Sequence, residues 1–213
     1  MIDVVPSYLY VNYRRELHEM YRLRHRVFKE RMGWDVGGEG GEERDQYDDL
    51  DPVYFLAINE QHSVVGSCRL LPTTGRYMLR NEFPQLLGGQ RAPSDPLIWE
   101  CSRFVVDNPD DSVASLAAVG QITREIFCAF VEYCYEAGIT EVLAVYDVRL
   151  ARILPRIGCR PKWLSSIQTI GKTKALTGRF DVNEQALAAI RRAGHIEDSV
   201  IANTALLRAA NAA

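Results

Sequence analysis

Glu100 and Arg103 stand inside the run PLIWECSRFVVD at 96–107, where Leu97, Ile98, Trp99, Phe104, Val105 and Val106 read as a buried strand. An ionised carboxylate away from water is costly unless a partner or a reaction uses it. Four further charged side chains raise the same question. Arg24 lies four residues before Phe28 in a helical stretch, so the two share a face. Arg69 lies inside the strand-like GSCRLLP, and Asp45 and Asp48 belong to the acidic stretch ERDQYDDLD. Each alone has an ordinary reading as a structural ion pair or a solvated loop residue. Together, three carboxylates and three guanidiniums suit a ligand that carries both signs of charge.

Other chemistries fit less well. The spacing DQYDDLD lacks the central glycine and terminal glutamate of a twelve-residue calcium loop. Five cysteines (Cys68, Cys101, Cys128, Cys134, Cys159) show no CxxC spacing, and four histidines (His18, His25, His62, His195) share no ligand spacing with them, so no metal is expected. An odd number of cysteines set among apolar neighbours fits a reduced, cytoplasmic protein. Cys101 beside Glu100 admits a nucleophilic reading, but no histidine lies near in sequence and an apolar setting raises thiol pKa. A net charge of −3 gives no support for nucleic-acid binding. No apolar run is long enough to cross a bilayer, and MIDVVPSYLYVNY is no signal peptide.

The elements that must position these residues form one domain over 1–213. Residues 12–32 place Leu17, Met20, Leu23, Val27 and Phe28 at helical spacing, with Arg14, Arg15, Arg22, Arg26 and Lys29 on the opposite face. Gly33 ends that helix, and a glycine-rich acidic loop follows; residues 1–50 are expected to act as a mobile lid. VYFLAI (53–58) and SVVGSCRLLP (63–72) read as a hairpin, 73–96 as irregular, and 97–106 as a strand. A helix is expected near 113–137 with Gly138 as its terminator. A buried strand at 141–146 precedes a helix capped by Asp147, whose inward side carries Leu150, Ile153, Leu154 and Ile157 and whose end is shortened by Pro155. Strands at 159–170 and 172–182, a helix at 183–193 and an Ala-rich tail at 199–213, expected either as a helix or as a loosely packed end, complete the chain. The order implies one mixed sheet with helices on its faces, an α/β (α+β) sandwich.

The order Arg24, Phe28, Trp34, Asp45, Asp48, Arg69, Phe83, Glu100, Arg103 resembles the signature of the N-acyl-homoserine lactone synthases, the bacterial autoinducer synthases. The matching blocks are RLRHRVFKERMGWDV, ERDQYDDLD, GSCRLLP, NEFP and WECSRFVV, in the family's order over about the first half of the chain. The resemblance implies a fold similar to the GCN-five-related N-acetyltransferases. It implies S-adenosylmethionine as one substrate, an acyl thioester of acyl carrier protein or CoA as the other, and no cofactor beyond these. In that reaction the α-amine attacks the thioester, and the methionyl carboxylate then displaces methylthioadenosine to close the lactone.

An α-amine titrates near pH ~8, so the attack needs a general base within hydrogen-bond reach. Glu100, its pKa raised by apolar neighbours such as Trp99, is the expected base. Arg24, Arg69 and Arg103 are expected to hold carboxylates, either the substrate's or those of Asp45 and Asp48. The two aspartates either favour the cationic end of the substrate or brace the arginines. Phe28, Trp34 and Phe83 are expected on the S-adenosylmethionine side, and Ser102, Phe104, Leu116, Phe127, Ala144, Tyr146 and Leu150 around the acyl group. Family members taking 3-oxo chains tend to carry threonine around 144 and 146. Ala144 and the bulky Tyr146 therefore point to an acyl group that is not 3-oxo and is short or branched. Arg149, Arg152 and Arg156 form a basic helical stripe suited to docking an acidic carrier. DNPDDSVASLAAVGQ lacks the pyrophosphate loop of ordinary CoA-dependent acetyltransferases, which stand as the alternative together with a non-catalytic ligand-sensing domain.

Overall fold

The computed structural model describes residues 1–107 and 113–211. The chain divides into two compact units, residues 1–69, 103–129 and 198–213 in the first and 70–102 with 130–197 in the second. Its strands make one mixed sheet in the order β1 (Ile2–Val5), β2 (Val53–Ile58), β3 (Val64–Pro72), β4 (Ile98–Val106), β5 (Glu141–Asp147), β8 (Thr173–Asp181), β6 (Trp163–Leu164), with β7 (Gln168–Ile170) paired to β8.

In the first unit, β1 (Ile2–Val5) lies antiparallel to β2 (Val53–Ile58), in register from Ile2 with Ala57 to Val5 with Tyr54. Helix α1 (Arg14–Arg24) presents Leu17, Met20, Tyr21 and Leu23 to a core that includes Val5, Tyr54 and Leu56. The helix expected over 12–32 runs without a break from Arg14 to Arg31, but it changes form on the way. After Arg24 the backbone widens into a π-helical turn over His25–Arg31, closed by the Met32 N–H on the Val27 carbonyl. One residue of slip lets Val27 and Phe28 both stay buried. Gly33 then takes φ +65°. The arginine face is exposed as expected.

β3 (Val64–Pro72) follows β2 through the tight turn at Asn59–Ser63. Its neighbour β4 (Ile98–Val106) carries Glu100 and Arg103. The Asp107 N–H meets the Val65 carbonyl and the Thr73 N–H meets the Ile98 carbonyl. Between these two rungs β4 holds one residue more than β3, which is a β-bulge. The extra residue shows itself at Arg103, whose φ is +53°.

In the second unit, the segment expected to be irregular contains helix α2 (Met78–Asn81) and a 3-10 turn at Pro84–Leu87. β4 pairs in parallel with β5 (Glu141–Asp147) from Ile98 with Glu141 to Cys101 with Ala144. α3 (Val113–Glu136) precedes β5 and gives way to Gly138 at φ +73°. α4 (Val148–Ile153) begins at Asp147, whose side chain accepts the Arg149 and Leu150 N–H groups. Pro155 turns the chain into a 3-10 stretch, Leu154–Ile157, as its missing N–H requires. Ile153 is exposed rather than inward, because the chain leaves α geometry at Leu154, and Leu154 and Ile157 of the 3-10 stretch fill the inward side.

The strand expected at 159–170 is two short ones, β6 (Trp163–Leu164) and β7 (Gln168–Ile170), each against β8 (Thr173–Asp181). β8 also lies antiparallel to β5, from Ala175 with Asp147 to Asp181 with Glu141. Helix α5 (Glu184–Gly194) is capped by the Asn183 side chain. Among the described residues no helix is long and apolar enough to cross a membrane. All five cysteines are buried and none is in a disulfide, and burial pushes the Cys159 thiol up to about 12.

The segment leading into α6 (Thr204–Asn211) is fastened to the first unit. Ile201 bridges Ile2, and the Asn203 amide accepts the Val4 N–H at 3.0 Å, donates to the Val4 carbonyl at 2.7 Å and donates to the Tyr13 hydroxyl. Asn203→Ala therefore strands two buried backbone groups, and each unmet group costs about 1–3 kcal/mol. Chemical denaturation of this variant is expected to show a loss of about 2–6 kcal/mol.

Candidate active site

The first unit gathers Arg24, Asp45, Asp48, Arg69 and Arg103 around one further carboxylate, Glu43. Arg24 comes from the end of α1, Arg69 from β3 and Arg103 from the bulge of β4. The three acids come from the stretch between α1 and β2, which Gly38 bends back on itself. At φ +126°, a Cβ there would lie 1.9 Å from the Glu42 carbonyl oxygen, so only glycine fits. The following residues wrap tightly, with the Asp45 N–H on Asp48 Oδ2 at 2.8 Å and the Tyr47 N–H on Asp45 Oδ1 at 2.9 Å.

Asp48 is the hub. Its Oδ1 accepts Arg24 Nη1 at 2.9 Å, Arg69 Nη1 at 2.8 Å and the Tyr54 hydroxyl at 2.8 Å. Its Oδ2 accepts Arg24 Nη2 at 2.9 Å in addition to the Asp45 amide. Arg24 Nε reaches Glu43 at 2.5 Å, and Arg69 grips both oxygens of Asp45. Arg103 holds Glu43 at 2.9 Å and Asp45 at 2.8 Å. Three cations meet three anions, so the cluster is neutral. The guanidinium forks suit this bidentate pairing, which a lysine would not reproduce.

Exposure separates the members. The side chains of Arg24, Glu43, Asp48 and Arg69 are 0% exposed, whereas Asp45 keeps 15% and Arg103 12%. Arg24 and Arg69 are thus spent inside the cluster, and Arg103 and Asp45 form its rim. Beside that rim the Phe28 ring lies 5.2 Å from Trp34 and within 2° of parallel, with the Arg103 guanidinium 5.7 Å from the Phe28 centroid. The rim can receive a ligand bearing a carboxylate, a cation and a flat apolar part.

Glu100 belongs to the second unit. It is 1% exposed, and its carboxylate accepts the Met78 N–H at 2.8 Å and the Leu79 N–H at 2.6 Å, the first amides of α2. Charge-assisted bonds of this kind stabilise the anion and fix its position. Trp99, expected as its apolar neighbour, alternates to the opposite face of β4, and its indole N–H donates to the Pro96 carbonyl. Phe83 packs in the second unit, on the cluster of Tyr77, Leu79, Leu86, Leu87 and Leu143.

The side chains expected around the acyl group are dispersed. In the first unit the Phe104 and Phe127 rings meet at 5.2 Å, tilted by 49°. In the second, the register pairs Glu100 with Leu143, so Ser102 shares the Glu100 face while Ala144 and Tyr146 occupy the other. Tyr146 is buried with its hydroxyl 2.5 Å from where a Gly178 Cβ would stand and its ring 6.0 Å from Phe180. Leu150 is half-buried on α4. Arg149, Arg152 and Arg156 are exposed, as a stripe requires. The Leu116 side chain and the backbone of 108–112, within the stretch lacking a pyrophosphate loop, lie outside the described residues. Glu43 and Tyr54 were not singled out by the sequence, although Glu43 opens the block ERDQYDDLD.

The comparisons with known proteins make this chain an acyltransferase. The chain belongs to the autoinducer synthase family, whose pattern matches residues 8–190. It is 39% identical over 170 residues to an acyl-homoserine-lactone synthase of Aliivibrio fischeri, covering 79% of this chain and 87% of that one. The structure of the CoA-dependent acyl-homoserine lactone synthase BjaI, with S-adenosylmethionine and isopentyl-CoA, superimposes with a TM-score of 0.82 at 29% identity, over 93% of this chain and 91% of that one. An N-acetyltransferase of Lactobacillus plantarum shares the fold alone, with a TM-score of 0.57 at 14% identity over 85% of this chain and 99% of that one.

Burial alone would raise the Asp48 pKa, but Arg24, Arg69 and the Asp45 amide outweigh it and hold that carboxyl well below the usual range. A depressed folded value contributes stability that is complete above the unfolded pKa of about 4 and is lost as pH falls toward the folded value. Denaturant midpoints are therefore expected to be steady above pH ~5 and to fall below pH ~4. Asp48→Asn is expected to lower stability at pH 7 and flatten this acid slope.

Proposed function

We propose that the chain makes an N-acyl-L-homoserine lactone from S-adenosylmethionine and an acyl thioester. The observation that carries this reading is the neutral buried cluster whose rim, Arg103 and Asp45, lies beside the Phe28–Trp34 stack. Arg103 receives the methionyl carboxylate, and Asp45 favours the sulfonium. The aromatic pair covers the ligand and keeps water away. Arg24, Arg69, Asp48 and Glu43 brace the rim and touch no substrate.

Glu100 takes a proton from the α-ammonium. The freed nitrogen attacks the thioester carbonyl, an amide bond forms, and the carrier leaves as its thiol. The substrate carboxylate then attacks its own γ-carbon, the C–S bond breaks with its electron pair on sulfur, and methylthioadenosine departs. Ring closure asks mainly for positioning, which contributes on the order of 7–11 kcal/mol in favourable cases. Two N–H bonds hold Glu100 rigid, which favours a placed base over a mobile one.

The acyl group is short or branched and not 3-oxo. Tyr146, filling the space above Gly178, supports that reading. The donor is acyl carrier protein or CoA. The exposed Arg149, Arg152 and Arg156 favour an acidic carrier, and the CoA-dependence of BjaI favours CoA.

Purified protein incubated with S-adenosylmethionine and a panel of acyl-carrier-protein and acyl-CoA thioesters is expected to yield methylthioadenosine and short or branched acyl-homoserine lactones by mass spectrometry. Folded protein that yields neither across the panel rejects the reading. Thiol release that needs no S-adenosylmethionine would instead indicate an ordinary acetyltransferase. Glu100→Gln is expected to lower kcat by about 10²–10⁴ while S-adenosylmethionine affinity stays within about threefold. Unchanged turnover would remove Glu100 from the role of base.

A further inference from the structure

Tyr54 has no part in the chemistry above, yet it is fully buried and ends on the hub of the cluster. Its hydroxyl donates to Asp48 Oδ1 at 2.8 Å and lies 3.1 Å from the Tyr21 hydroxyl. Its ring is wedged between Tyr10, with centroids 5.6 Å apart, and Tyr21, met edge-on at 6.3 Å. Tyr10 is itself tied down by its hydroxyl on the Pro52 carbonyl. The phenol thus stands on a sheet strand, while Asp48 stands on the tight turn that carries Asp45.

Arg24 and Arg69 also hold Asp48, but each is shared with a second acid. A ligand bearing both charges that engages Arg103 or Asp45 redistributes those ion pairs, because Asp45 binds Arg69 and Arg103 at once. Tyr54 is the side-chain donor on Asp48 that takes no part in those ion pairs, and the other neutral donor, the Asp45 amide, belongs to the same turn as Asp48 and ties it to nothing outside. Tyr54 is neutral, so it adds a bond without disturbing the charge balance. Burial keeps its proton in place far above neutral pH.

We propose that Tyr54 is a positioning residue for the S-adenosylmethionine site, anchoring Asp48 to the sheet so that Asp45 and Arg103 keep their places when the ligand's charges arrive. The inference rests on the reading of that rim as the S-adenosylmethionine subsite.

Tyr54→Phe keeps the ring and its packing and removes only the hydroxyl. Calorimetric titration is expected to show S-adenosylmethionine affinity weakened about tenfold, the order of one hydrogen bond. Its KM is expected to rise in step, while kcat and the thioester KM stay within about twofold. Tyr21→Phe removes the neighbouring hydroxyl but leaves the bond to Asp48, and is expected to bind within about twofold of the parent protein. Wild-type affinity in Tyr54→Phe overturns the inference, as does equal weakening by both variants or a rise in KM for both substrates. If the parent protein itself does not bind S-adenosylmethionine, the reading of the rim fails instead, which the titration of unmodified protein reveals before any variant is compared.

Discussion

Six charges packed together in one unit, four of them wholly away from water, have to cancel, and the arrangement that cancels them governs what the rest of the first unit can do. Isolated, any of these ions would carry a desolvation penalty of several kcal/mol. Paired as they are, with five hydrogen bonds on Asp48 alone, they form a rigid block drawn from α1, the acidic turn, β3 and β4. Such a block gives no strong reason to expect more stability than an apolar core of the same volume would provide. What it offers is a fixed pair of opposite charges at its edge, oriented before any ligand arrives. Preorganised charge of this kind needs no reorganisation during a reaction.

Aromatic side chains frame that block. Arg24 lies over the Tyr21 ring at 5.4 Å and Arg69 over Tyr47 at 5.5 Å. Both guanidiniums therefore meet carboxylates in plane and ring faces out of plane, which satisfies their two kinds of surface. The π-helical turn contributes from the other side by presenting Phe28 where Trp34 can cover it. Glu100 is positioned by different means, a short helix whose first amides converge on the carboxylate. Charge pairing and helix capping are thus divided between the two stretches of β4 that flank the bulge.

Much of this was legible in the chain. Charged residues among apolar ones marked Arg24, Arg69, Glu100 and Arg103, because burial of an ion always demands a reason. Strand runs such as VYFLAI and GSCRLLP, with caps at Asp147 and Gly138, located most elements. Glu43 escaped notice since it stands next to Glu42 in an acid-rich loop, and no spacing tells which glutamate turns inward. Tyr54 read as plain core within an apolar strand; only the tertiary fold shows where its hydroxyl ends. The π-helical turn escaped because periodicity cannot see a single residue of slip. The bulge escaped because a left-handed residue is usually advertised by glycine or asparagine, and here it is an arginine.

That last feature has a bearing on how this position can vary. At φ +53° a side chain of any size is strained by about 1–3 kcal/mol, and a β-branched one more so. Glycine would release the strain and delete the cation, so that a sturdier protein and a blunted rim would come from one substitution. Backbone shape and charge therefore pull against one another at residue 103, where a gain in robustness comes with loss of the guanidinium.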